Sequence, residues 1–244
     1  MVPNFWITRL LNHIFAPVVV ALMNLVGIHP ADPARPINDT FALEVLVAAC
    51  LVLFFLIVRF TLSVEKPNPA QQIAEMIHEF TGSNASQIIG HHYERFQAFV
   101  TCVFLFIVIN NLLGLIPGVV TPTSAPVVPL GVALCTFIYY HFYGLKEQGF
   151  VGYMKHFAGP IWWISWLLFP IEVISHLARV MSLTIRLYAN MFASDLVTLV
   201  FFSLIPVGIP AIFLGLHAGV SLIQAYVFML LSMIYLSIAV SHEH

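Results

Sequence analysis

Charge is what this sequence has least of. Acidic and basic residues together make up 8% of its 244 residues, against about 25% in soluble domains. Hydrophobic residues make up 60%, and the mean hydropathy is +0.95. A water-soluble fold could not hide that much apolar surface, so the composition predicts an all-α integral membrane protein. Basic residues are few and scattered, and the formal net charge is −2. With no basic patch to neutralise phosphates, a nucleic-acid partner is excluded. Cysteine is also scarce. Cys50, Cys102 and Cys135 each lie in an apolar run, and their spacing fits neither a disulfide framework nor a zinc motif. The 11 histidines do not form one either. His91 and His92 are adjacent, His242 and His244 sit in the tail, and "IHEFTG" lacks the second histidine of a zinc-protease helix. No metal site and no cofactor are expected.

Long apolar runs are abundant. The first spans about 41–64, after the helix-start signal "INDT". Others cover about 96–116 and 127–145, and the chain is apolar again from 162 to 205 and from 211 to 240. Five crossings follow. Between the first two runs lies the most polar stretch, 67–92, where Ile73, Met76, Ile77 and Phe80 recur at helical spacing. That pattern predicts a surface amphipathic helix. Residues 1–36 have the outline of a signal peptide. Pro17, Asn12 and Asn24 interrupt its apolar middle, so an interfacial helix is the expectation there. "KEQGFVGYMKHFAGP" reads as a polar loop.

Arg59, Lys66, Arg95, Lys146 and Lys155 cluster in two connections, while "GVVTPTSAPVVP" carries no charge. The positive-inside rule then places the N-terminus outside and the C-terminus in the cytoplasm. The last two helices are too long to stand upright. With Pro170 as its first residue, the fourth crossing would run to 205, about 54 Å, against a hydrocarbon layer of about 30 Å. A strongly tilted helical hairpin is expected over 162–241.

Polar groups in this hairpin fall into lines at about 100° per residue. Glu172, Arg179, Ser182, Arg186 and Asn190 share one face of the first helix, and Asp195 falls opposite Arg186. His217, Gln224 and Tyr235 share a line on the second. Such groups can serve only to glue helices together. Arg186 is harder to explain that way. Burying an arginine costs at least about 2.5 kcal/mol, and its guanidinium does not deprotonate in a protein. It can act only as a fixed charge, a barrier or a partner for a carboxylate.

These segments resemble a known family, subunit a of the F-type ATP synthases. The likeness is carried by "SLTIRLYANMFASD" around Arg186, by "HAGVSLIQAYVFMLLSMIYL" in the last helix and by "FIVINNLLGLIPG" with its paired asparagines. It covers most of 37–244, whereas 1–36 carries no matching motif. The resemblance implies a membrane proton-channel domain over 37–244. Arg186 would be the essential arginine, and Glu172, Asn190, Asp195, His217 and Gln224 would line the proton path. Arg179, Ser182, Tyr235 and, at the outer mouth, Asp39 are secondary candidates. Ala189-Asn190 and Ser194-Asp195 stand where the family often has Gly-Asn and Gly-Glu. The implied partners are a ring of hairpin proteins, each with a buried carboxylate, together with peripheral stalk subunits and the lipid bilayer. Two offset half-channels would couple proton flow to rotation of that ring, in a bacterial inner membrane, with Asp195, His217 and Glu172 near the outer opening. The alternatives are a secondary ion transporter and a sodium-coupled form of the same machine.

Overall fold

The computed structural model describes residues 6–25, 36–63, 66–90, 92–116, 119, 121–158, 165–204 and 208–240. The expected closing Pro117, the opening of the hairpin at 162–164, the turn at 205–207 and the tail histidines lie outside these residues.

Seven α-helices make up the described chain: α1 Trp6–Leu25, α2 Asp39–Phe60, α3 Pro69–Ile88, α4 Glu94–Leu113, α5 Val127–Ala158, α6 Ser165–Leu204 and α7 Ile209–Val240. A single 3-10 turn, Pro122–Ser124, precedes α5. Among the described residues, five stretches are long and apolar enough to cross a membrane: α2, α4, Val127–Gly149 of α5, and nearly all of α6 and α7. The protein is a multi-pass, all-helical membrane protein.

The helix-start signal works as expected. Asn38 caps α2, its side-chain oxygen accepting from the Asp39 N–H, one of the backbone donors that a helix start leaves free. α1 does not lie apart from the domain. Asn12 accepts from the Ile37 N–H at 3.0 Å and donates to the Ile37 carbonyl at 3.1 Å. The Thr8 hydroxyl donates to Asp39 Oδ1 at 2.5 Å. Asp39 is therefore tied to α1 at the start of α2.

α3 follows the expected surface helix. Its buried positions, Gln71, Thr81, Gly82 and Ala85, face the bundle. Thr81 and Thr101 of α4 share a hydrogen bond of 2.8 Å, and Gln97 Nε2 donates to the His78 carbonyl at 2.6 Å. Ile73, Met76 and Phe80 remain exposed.

Two expectations need correction. The polar loop after 145 is mostly helical. α5 continues through it and breaks at Gly149, whose φ of 70° and ψ of 162° are not helical. A positive φ costs glycine little, because it has no Cβ to clash. Pro170 does not begin the fourth crossing but lies inside α6, which starts at Ser165. So close to the helix start its ring forfeits one backbone bond without ending the helix. α6 is then 40 residues long, about 60 Å, twice the hydrocarbon thickness.

The core lies among α4, α5, α6 and α7. Val180, Leu183, Leu187 and Met191 form the buried stripe of α6, packed with Val103, Ile107, Ala133, Ala225 and Phe228. A second cluster joins Ala85, Phe96, Val100 and Tyr140 to Met229, Met233, Leu236 and Ala239 of α7. Arg95 at the start of α4 pairs with Glu147 near the end of the α5 span at 2.6 Å, which puts those two ends at the same level. Exposed cysteines 50, 102 and 135 must be replaced before labelling. In that background, cysteines at Glu79 and Lys146 should react with a membrane-impermeant maleimide from one face of the membrane. A cysteine at Val127, at the other end of α5, should react only from the opposite face. Labelling of all three from one side would refute this arrangement.

Candidate functional site

Arg186 is exposed on α6, turned about 100° from the buried stripe of that helix. Among the described residues it has neither a hydrogen-bond nor an ion-pair partner. Its neighbours on the same line, Ser182 and Asn190, are exposed and half-buried. On α7, Gln224 is half-buried and likewise makes no hydrogen bond among the described residues. An unpaired guanidinium on the lipid-level surface of a membrane helix is costly unless another surface covers it.

The other polar residues collect at two levels, one on each side of Arg186. Nine residues further along α6, about 13 Å, a network closes around Asp195. Its Oδ1 accepts from the Thr121 hydroxyl at 2.7 Å and lies 3.7 Å from His217 Nδ1. The Ser194 hydroxyl meets that same Nδ1 at 2.7 Å. His217 Nε2 faces the Asn111 carbonyl at 3.4 Å. A carbonyl can only accept, so a hydrogen bond here requires the Nε2–H tautomer, in which Nδ1 is free to accept from Ser194. Asn111 is itself held twice, donating to the Ser221 carbonyl at 3.2 Å and accepting from the Thr123 hydroxyl at 2.6 Å. His217, Asn111, Thr121 and Thr123 are all at least 99% buried.

Sequence reasoning missed the two threonines. They come from the uncharged connection before α5, where nothing titrates; Thr121 reaches Asp195 across 74 positions, and Thr123 reaches Asn111. The paired asparagines, which stand out in an apolar run, were the one available signal. Gly114 makes the approach possible. A Cβ there would lie 1.9 Å from Thr121 Oγ1 and 3.1 Å from His217 Nε2. Asp195 Oδ2, Thr198 Oγ1 and Asn110 Oδ1 are buried without a hydrogen-bond partner among the described residues. Such atoms are uncommon and mark places where water or a transferring proton belongs. Thr198 also lines a cavity of about 230 Å³ between α6 and α7, together with Asn190, Ser194, Phe213, Leu216 and neighbours.

The second level lies toward the start of α6. Glu172 sits 3.4 Å from His176 Nε2, and His176 Nδ1 shares a hydrogen bond of 2.9 Å with the Tyr140 hydroxyl. The Arg179 guanidinium lies over the Tyr235 ring, 5.3 Å from its centroid, a cation–π contact. Glu172 is therefore not grouped with Asp195 and His217. The two acids are 23 residues apart on one continuous helix, about 34 Å. His176 and Tyr140 were not singled out from the sequence, where each sits among apolar residues without a spacing of its own.

The fold and these two polar levels define a class: a multi-pass helical membrane protein with titratable groups at both ends of a long hairpin and a fixed charge between them. The chain belongs to the ATP synthase A chain family, whose profile matches residues 40–237. It is 50% identical to the ATP synthase subunit a of Koribacter versatilis (strain Ellin345) over 241 residues, 99% of this chain and 98% of the relative. It is 44% identical to that of Solibacter usitatus (strain Ellin6076), covering 92% of this chain and 95% of the relative. With that of Bdellovibrio bacteriovorus it shares 41% identity over 70% of this chain and 75% of the relative.

Gly114→Ala should force Thr121 away from Asp195. Overpacking of this kind costs about 1–3 kcal/mol, read as a lower midpoint of thermal unfolding in detergent. Adding Thr121→Gly relieves the clash but not the lost hydrogen bond. The double variant should regain thermal stability relative to Gly114→Ala while proton conduction stays low. Recovery of both together would show that the contact serves packing alone.

Proposed function

We propose that this chain is the stationary proton-conducting subunit of the membrane sector of a rotary ATP synthase. The observation that carries this reading is Arg186, exposed and unpaired among the described residues on the middle of α6, between two separated polar levels. Its natural partner is a carboxylate that arrives from outside the chain, on a neighbouring ring of hairpin proteins. Peripheral stalk subunits complete the stationary part. A secondary transporter built from inverted repeats would break its helices at a central site, whereas α6 and α7 are continuous over 40 and 32 residues.

In this mechanism protons come from outside through the Asp195–His217 level and neutralise a ring carboxylate facing Asn190. A neutral acid avoids most of the cost of facing lipid. After nearly a full turn the acid meets Arg186, whose charge favours the ionised form. The proton then leaves on the cytoplasmic side, at the level of Glu172 and Arg179. Arg186 also repels protons that would otherwise pass directly between the levels. At 100 mV each such leak would dissipate about 2.3 kcal/mol. The basic connections face the cytoplasm of a bacterial inner membrane, with the N-terminus outside and the C-terminus inside. The 40 residues of α6 tilt to lie along the curved surface of the ring.

Arg186→Ala should abolish ATP-driven proton pumping in inverted membrane vesicles while the complex still assembles. Lysine should not restore it fully, because its compact charge can be lost on burial. Normal pumping by the assembled alanine variant would refute the barrier role. Asp195→Asn should leave assembly intact, since the amide oxygen can still accept from Thr121. Proton flux should fall tenfold or more, on the order of what one positioned acid–base group contributes. Unchanged flux in an intact complex would remove Asp195 from the path.

A further inference from the structure

His217 is buried and Asp195 is half-buried on the face of α6 opposite Arg186, whereas a ring carboxylate must collect its proton at the exposed face of the hairpin. Something has to carry the proton between these places. The 3.7 Å between Asp195 Oδ1 and His217 Nδ1 is too long for a good hydrogen bond, so the pair is not a closed unit. Ser194 stands at the junction. Its hydroxyl is 2.7 Å from His217 Nδ1, and its side chain lines the cavity that also holds Asn190 and Thr198. Among the described residues it is the one that both bonds His217 and lines this cavity. At about 230 Å³ the cavity can hold several water molecules, each occupying about 30 Å³.

We infer that the Ser194 hydroxyl relays protons between His217 and the cavity facing the ring. This inference rests on the reading of the chain as the proton-conducting subunit. When His217 is protonated, Nδ1–H points at Ser194 Oγ. The proton passes to Oγ as the serine's own hydrogen passes to a water or a carboxylate in the cavity. One N–H and one O–H bond break and two O–H bonds form. Serine ends unchanged, and a half-turn of its hydroxyl resets it. With Nε2 directed at the Asn111 carbonyl, which can only accept, the nitrogen that exchanges in this relay is Nδ1, the one facing Ser194. Asp195, held by Thr121 and 3.7 Å from the same nitrogen, supplies the proton or steadies the imidazolium. The other groups facing the path are Thr198 and Asn190, which do not titrate, and the apolar walls of Phe213, Leu216 and Val220.

The test compares Ser194→Ala with Ser194→Thr in vesicles carrying the assembled complex, with passive and ATP-driven proton flux both normalised to the amount of complex. The two substitutions rank oppositely under the two explanations. Threonine keeps the hydroxyl and adds a methyl, whereas alanine packs easily and loses the relay. A relay predicts flux lowered roughly tenfold or more in Ser194→Ala and restored, relative to alanine, in Ser194→Thr. Alanine equal to or better than threonine would overturn the inference. Failure of the alanine variant to assemble would do the same, by assigning the hydroxyl to helix packing. Arg186→Ala in the same vesicles separates the two levels of the argument. If it pumps normally, the subunit reading falls. If its pumping vanishes while Ser194→Ala matches the parent, only the relay falls.

Discussion

A guanidinium at membrane depth must be answered by something, because hydrocarbon offers no water and the group cannot discharge its proton. The described bundle does not answer Arg186. It answers several of the other polar side chains. Asn111 has partners on both ends, Arg179 has an aromatic ring, His176 is held by Tyr140, and Asp195 is held by Thr121. A bundle that satisfies those groups and, among the described residues, leaves the Arg186 guanidinium bare in the middle of α6 is shaped to meet another surface. The apolar stripe of α6, the continuity of the hairpin and the split of titratable groups into two levels follow from keeping that cation exposed and isolated.

Much of this was legible because hydropathy and helical spacing are local signals. The five crossings, the surface helix at α3 and the Asn38 cap needed only neighbouring residues. The face shared by Arg186, Ser182 and Asn190 came from 100° steps along one helix. What stayed hidden depends on contacts between distant segments. Thr121 and Thr123 look like ordinary turn residues until the 3-10 turn is folded into the bundle. Ser194 reads as a helix residue until α7 brings His217 beside it. Gly114 reads as a helix end, yet its missing side chain is the space Thr121 and His217 use.

The misplacements have the same origin. Helical spacing gives the direction of a side chain but says nothing about depth shared with other helices. Glu172 shares the face of Asn190, and the resemblance grouped it with Asp195 and His217 near the outer opening. The uninterrupted 40 residues of α6 put them at opposite ends. Pro170 likewise suggested a helix start, where proline is favoured, but the residues before it are apolar enough to extend the helix by a turn.

The stripe of Val180, Leu183, Leu187 and Met191 has an electrical consequence. It runs for about 16 Å along α6 and separates the polar groups at the two ends. Polar, hydratable ends respond to an applied voltage and so support little field. The dry segment behaves as the dielectric of a capacitor whose plates have been moved inward. A voltage that would otherwise fall across about 30 Å of hydrocarbon falls across roughly half that distance or less, because α6 is tilted, and the local gradient at least doubles. The place where that gradient is steepest is the stretch of α6 that carries Arg186.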